Sequence, residues 1–461
     1  MKFVDRRQEM EALRAALGRG PALVRVYGRR RLGKTELLSR LCRDLGGIYL
    51  LVDEAEPRLQ AQALGDQLSR ALSRPPVPTA DWAAFLRRLQ GLKAPVVVLD
   101  EFQRLLHRRT EAESILQNAW DQSFSKRGPS LVLCGSSVGM MRRLTRRPAA
   151  PLYGRLWADL HLRPLDYASV RQLHAGVPEE DRVRRFAVFG GTPHYQSVAV
   201  GRPLEDAIAA AFLTRGAPLA DEPMSLLRME AVKPDRLQSV LQAVGEGTHA
   251  LGALEAALNV PSGRLSPYIA GLRDELALLR AEAPVGGAQR RARYVFSDPF
   301  FAFYYRFVPR ARPLVEAGRA ADALAGVRRD LEAHVGQQFE RVAAQALIAS
   351  NGRPLKGVPI EFEELGRWWS RQGEEIDLVA RGSKEVLAGE VKWSPRPLGP
   401  PALWTLEDKA RPLGGGRPVR LLFVARGGFT RAMEREARSR GALLLDLEDL
   451  TAIFARAGRT R

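Results

Sequence analysis

Cysteine is scarce: Cys42 and Cys134 are the only two in 461 residues, and neither belongs to a C-x-x-C pair. That excludes a disulfide framework and a zinc ribbon. Lysine is scarce as well. Only 9 of the 71 basic residues are lysine, so arginine carries the net charge of +19. No stretch approaches the ~18 apolar residues of a membrane span. The first residues, MKFVDRRQEM, show no apolar segment after their charges and do not read as a signal peptide. These absences predict a soluble, cytoplasmic protein with no membrane partner.

What is present begins with a core. Apolar residues make up 45% of the chain, enough for packed interiors rather than disorder. The length allows two to four domains. The arginine excess and a pI of about 10.5 favour polyanion partners, because guanidinium forks match phosphate oxygens. GC-rich coding bias would place arginine for lysine equally well. Charge alone leaves both open.

Residues 28–35 read GRRRLGKT and fit G-x-x-x-x-G-K-[ST] at every fixed position. The apolar run ALVRVY at 22–27 predicts a short buried strand before it. Leu37, Leu38, Leu41 and Leu45 predict a helix after it. Strand, glycine loop and helix are what phosphate binding needs. Gly28 and Gly33 let backbone N–H groups wrap the phosphates, and the helix N-terminus adds partial positive charge. Lys34 would reach the β- and γ-phosphates of ATP, and Thr35 would bind Mg²⁺. Arg29, Arg30, Arg31 and Leu32 fill the variable positions. The arginines are expected to face outward there, adding polyanion affinity.

A phosphate loop needs an acidic residue at the end of a buried strand. PVVVLDE at 95–101 supplies it. Its apolar run predicts a parallel strand buried on both faces. Asp100 would hold Mg²⁺ through water, and Glu101 would orient or activate the attacking water. SLVLCGSS at 130–137 predicts a third strand, ending in Ser136 or Ser137 as a γ-phosphate sensor. PLYGRL follows at 151–156. Its Arg155 is a candidate for reaching a nucleotide phosphate, in cis or from a neighbouring subunit. The second case requires a homo-oligomer.

Taken in order, FVDRRQEMEAL, VYGRRRLGKTELL, VVVLDEFQRLL, LCGSS, PLYGRL and GGTPHY (190–195) resemble the archaeal-type ATPases of the AAA+/STAND group. The resemblance covers nearly the whole chain. It implies a multidomain α/β protein: a P-loop AAA+-like parallel sheet at 1–160 and a helical lid at 161–235. A winged helix-turn-helix at 236–310 and a nuclease-like α/β domain at 311–461 would follow. It also implies that Gly191 and Pro193 form a Gly-x-Pro turn that couples nucleotide state to the domains beyond.

The residues read independently agree with much of this. LGALEAALNV and PSGRLSPYIAGLRDELALLR suggest two helices, and APVGGAQRRARYVF a basic wing carrying Arg290, Arg291 and Arg293. The wing would lie on DNA phosphates. The alternative is a structural domain that relays motion or binds protein. DPFFAFYYRFV at 298–308 predicts a buried helix, and PRARPLVEAGRA a linker. Further on, EEIDLVARGSKEVLAGEVKW predicts a hairpin of strands at 376–380 and 385–393 around Gly382. Side chains two apart on a strand share a face, so Glu390 and Lys392 point one way and Asp377 can sit opposite. Two carboxylates that bind Mg²⁺ beside a lysine suit phosphodiester hydrolysis. With Glu340 on the helix HVGQQFERVAAQAL, the set Glu340, Asp377, Glu390, Lys392 resembles the PD-(D/E)XK nuclease core. Two alternatives stand beside it: a domain that keeps the fold and grips nucleic acid without cutting, and an exposed hairpin whose charges merely pair.

The expected function is a Mg²⁺-dependent ATPase coupled to a nuclease-like DNA-binding domain, in its sharpest form an ATP-regulated endonuclease. The alternative is a STAND-type switch that retains nucleotide and whose C-terminal domain binds partners without cleavage.

Overall fold

The computed structural model describes residues 4–106, 111–145, 150–231, 233–287, 292–370 and 372–460. It divides into two compact units. One comprises Asp5–Arg163 with Asp274–Ala277; the other comprises Met1–Val4, Pro164–Arg273 and Leu278–Arg461.

The first unit is built on five parallel strands: β1 (Leu23–Tyr27), β2 (Ile48–Leu51), β3 (Val96–Asp100), β4 (Ser130–Gly135) and β5 (Ala158–His161). Their spatial order is β2-β3-β4-β1-β5. β1, β3 and β4 are buried at every residue. Helices on both faces therefore demand unbroken apolar runs, and LVRVY, VVVLD and SLVLCG supply them. β1 ends where expected, at Tyr27, while β3 ends one residue and β4 two residues short of their expected ranges. The core gathers Leu23, Leu50, Leu64, Phe85, Leu99, Phe102 and Leu133. Arg25 is the polar exception on β1. Its Nε donates to Asp159 Oδ1 at 2.8 Å, and its guanidinium lies 4.9 Å over the Tyr27 ring.

In the second unit, residues 167–245 are helices joined by short loops. The Gly190-Gly191-Thr192 turn is anchored by Asp298, which is fully buried. Asp298 accepts from the Gly191 N–H at 3.1 Å and the Thr192 hydroxyl at 2.8 Å. It also caps the helix Pro299–Glu316 by accepting from the Phe300 N–H at 3.2 Å. A Cβ on Gly190 would stand 1.6 Å from that carboxylate, and one on Gly191 2.1 Å from the Leu165 carbonyl. Hence the two glycines.

Helices Leu251–Ala257 and Ser266–Ala270, a π-turn at Gly271–Glu275 and an antiparallel pair, β6 (Leu279–Glu282) and β7 (Arg293–Phe296), come next. Arg290 and Arg291 lie outside the described residues. The aromatic stretch is a buried helix, as expected, but no linker follows it. The helix Pro299–Glu316 continues through Pro309 and Pro313. Proline removes an N–H, so Pro309 would orphan the carbonyl of Tyr305. The Gln242 side-chain amide takes that carbonyl at 3.3 Å. Only Ala317, Gly318 and Arg319 separate this helix from the 31-residue helix Ala320–Ser350.

After a small hairpin, β8 (Arg353–Leu355) and β9 (Val358–Ile360), the chain builds a mixed sheet. Its strands are β10 (Glu364–Trp369), β11 (Glu375–Arg381), β12 (Val386–Lys392), β13 (Val419–Ala425) and β14 (Leu443–Leu445), in spatial order 10 to 14. β10, β11 and β12 are antiparallel neighbours; β12, β13 and β14 are parallel. The helices Pro400–Ala410 and Arg431–Arg440 make the two crossovers.

Candidate functional site

In the first unit, the loop 28–33 runs from the end of β1 to the helix Lys34–Leu45. Gly28 passes so close to β5 that a Cβ would stand 2.4 Å from the Leu162 carbonyl oxygen. Gly33 caps the helix with φ 86°, a left-handed turn that favours glycine. Lys34 is buried, and its ammonium donates to the carbonyls of Gly28 at 2.7 Å and Arg29 at 2.9 Å. Arg30 and Arg31 are exposed, as expected. Arg29 is not: it is 4% exposed, so the outward-facing expectation fails at this position. Leu32 is buried, and its carbonyl accepts from Arg6 at 3.2 Å.

Asp100 ends β3 beside this loop. The Thr35 hydroxyl donates to Asp100 Oδ2 at 3.0 Å, and the Tyr49 hydroxyl donates to the same oxygen. Burial, and then the Asp100 charge, push the Tyr49 phenol well up, so it stays a donor. The Glu101 N–H donates to Asp100 Oδ1 at 2.8 Å. Glu101 itself is held at φ 56°, a strained backbone for a residue with a side chain. Its carboxylate meets the end of β4, where the Ser136 hydroxyl donates to Glu101 Oε2 at 3.1 Å. Of the two serine candidates, Ser136 makes this contact; Ser137 precedes the helix Val138–Arg143.

Thr35 and Asp100 offer two apposed oxygens at a helix N-terminus. That donor set suits Mg²⁺, which takes one or two protein oxygens and completes its shell with water and phosphate. Lys34, the loop N–H groups and the helix end suit a nucleotide triphosphate.

Arg155 is engaged elsewhere. Its Nε and Nη2 donate to the two Asp121 oxygens at 2.8 and 2.7 Å, and its Nη1 to the Pro151 carbonyl at 3.1 Å. None of these partners belongs to the phosphate loop.

In the second unit, the four expected C-terminal residues come together. Glu390 and Lys392 share a face of β12, and the Lys392 ammonium contacts Glu390 Oε1. Asp377 on β11 accepts from the Val391 N–H at 2.9 Å. Burial, then the Glu390 charge, raise the Asp377 carboxyl above its ordinary range. Burial pushes Glu340 up to about 8, against the opposing effect of Arg367 at 3.2 Å. Among the described residues no group of three or more histidine, cysteine or acidic side chains could hold a metal ion. Asp377 and Glu390, the two carboxylates expected to share Mg²⁺, lie here with the Lys392 ammonium against Glu390.

The hairpin β6–β7 packs on this sheet. Arg293 pairs with Glu375 at 2.6 Å and lies 4.4 Å over the Trp369 ring, while the Val285 N–H donates to the Arg367 carbonyl at 2.9 Å. Arg293, expected on DNA phosphates, is held here by Glu375 and Trp369.

Sequence reading missed Arg6, Tyr49 and Gln103. Arg6 and Tyr49 carry no motif signal. Gln103 lies two residues after Glu101 inside the quoted VVVLDEFQRLL, a cue of position that was there to use.

Comparison with known proteins bears on both units. Residues 3–195 match a family model described as an ATPase domain predominantly from Archaea. Over these residues the chain is similar to that ATPase domain. Residues 304–398 match one described as archaea bacterial proteins of unknown function. An uncharacterized protein of Methanocaldococcus jannaschii is 28% identical over 396 residues, 85% of this chain and 87% of the relative. A Walker-type ATPase of Pyrococcus abyssi matches in structure at 20% identity and TM-score 0.48, over 66% of this chain and 96% of that one. The ORC2 protein of Aeropyrum pernix, in its ADPNP–ADP complexes, matches at 18% and 0.43, over 70% and 95%. No helix among the described residues is long and apolar enough to cross a membrane.

Proposed function

We propose that the protein is a Mg²⁺-dependent ATP hydrolase whose nucleotide state governs a nuclease-like C-terminal domain acting on DNA. The observation that carries the reading is the 3.0 Å apposition of Thr35 and Asp100 beside Lys34, with Glu101 at the same strand end. The loop N–H groups from Gly28 to Thr35 bind the phosphates. Lys34 exchanges the Gly28 and Arg29 carbonyls for phosphate oxygens. Mg²⁺, held by Thr35 and Asp100, would neutralise charge on the β- and γ-phosphates. Glu101 orients a water and takes its proton, and Ser136 sits where the γ-phosphate can be sensed. The strand order β10 to β14 with a preceding helix, two antiparallel steps and then parallel ones supports the nuclease-like reading. So does the meeting of Glu340, Asp377, Glu390 and Lys392. We also read the helices 251–275 with β6–β7 as a winged helix, and keep the four-part division of the chain.

The docking of Arg293 on Glu375 and the Lys392–Glu390 pair favour a second reading. In it the C-terminal domain grips a partner without cutting, and the chain works as a nucleotide-dependent switch.

ATP hydrolysis and plasmid cleavage in Mg²⁺ or Mn²⁺, measured for the wild type, Lys34→Ala and Asp377→Ala, test both. DNA-stimulated hydrolysis, with cleavage lost in Asp377→Ala alone, establishes the ATP-linked nuclease. Nucleotide binding through Lys34 with no DNA cut or retained establishes the switch.

A further inference from the structure

Gln103, two residues beyond Glu101, is 7% exposed and belongs to no part of the phosphate loop. Its side-chain amide makes two donations. Nε2 donates to Glu101 Oε2 at 2.6 Å and to Ser136 Oγ at 3.0 Å. Ser136 donates in turn to the same Glu101 oxygen. The three groups close a triangle with Glu101 Oε2 as its shared acceptor. Arg104 stands 3.9 Å from that oxygen as well.

The other end of the amide is unsatisfied. Gln103 Oε1 is buried with no hydrogen-bond partner. It lies over Gly135 beside Met141: a Cβ on Gly135 would stand 2.6 Å from it and 2.5 Å from the Met141 sulfur. Turning the amide over would not relieve it, because Oε1 would then face Glu101 Oε2, acceptor against acceptor. A buried side chain with one partnerless atom is kept in this orientation by the two bonds its nitrogen makes.

We propose that Gln103 is a positioning residue for ATP hydrolysis. With Ser136 it anchors Glu101 Oε2, leaving Oε1 of Glu101 as the acceptor that aims the attacking water. Gly135 is glycine so that the amide can lie against the strand end. The inference rests on the hydrolase reading above.

The test is Gln103→Met, which keeps the volume and burial, removes both donors and removes the unpaired oxygen. The expected result is a fall in kcat of about tenfold or more, within the range that a misplaced general base costs. KM and Kd for ATP should stay within twofold, and Tm should be unchanged or higher. A wild-type kcat in a folded Gln103→Met overturns the proposal, as does a loss confined to KM. Should Gln103→Met fail to fold, Gln103→Leu and Gln103→Ala give the same kcat-against-KM reading. A wild type with no turnover at all sinks the hydrolase reading itself, which sets that failure apart.

Discussion

Glu101 sits in left-handed backbone, and a carboxylate held at such a cost has a task. Glu101→Gln keeps the shape and loses the base. Its kcat should fall by about 10²-fold or more while ATP binding is retained, as equilibrium binding alongside turnover will show. Glu340 makes the second residue-scale prediction. Its folded pKa is raised to about 8, chiefly by burial, from an ordinary 4.5. An acid raised on folding holds its proton better folded than unfolded, so stability falls as pH rises from 4.5 to 8. Glu340→Gln should therefore match the wild type near pH 4.5 and exceed it by up to about 4 kcal/mol at pH 8, in denaturant titrations at both pH values. Equal curves at both pH values would show that Glu340 ionises normally. Lys34, Thr35, Asp100 and Glu101 were legible because the motif spacing encodes backbone geometry. Tyr49 and Arg6 were not, since they reach the site from elements far along the chain.

Elements were read well where their pattern is local and badly where a distant group overrides it. Proline and charge at 309–320 signal a linker, yet the helix Pro299–Glu316 runs on because Gln242 satisfies the carbonyl that Pro309 orphans. The GGTPHY turn, implied by the resemblance to couple nucleotide state to the domains beyond, lies in the second unit, where Asp298 accepts from Gly191, Thr192 and Phe300. Asp298→Ala strands those donors and uncaps a helix, so it should cost about 2–4 kcal/mol, seen as a lowered Tm with ATP affinity unchanged. Loss of ATP affinity in this variant would support the coupling role of the turn.

The net charge of +19 bears on the whole molecule. If DNA is the partner, its affinity should fall steeply with salt, by a log–log slope of about −4 or beyond, and saturating duplex should raise ATP turnover. A flat salt dependence would assign the arginines to coding bias. By itself the sequence determined the phosphate loop, the acidic strand end, the buried parallel strands and the hairpin that carries Asp377, Glu390 and Lys392. These follow from local spacing, where period and motif dictate geometry. Only the tertiary structure decided that Arg29 is buried, that Arg155 is bound to Asp121 and Arg293 to Glu375, and that Gln103 closes on Glu101 and Ser136. An arginine's partner is whichever acid the fold brings within reach, and no spacing along the chain records that.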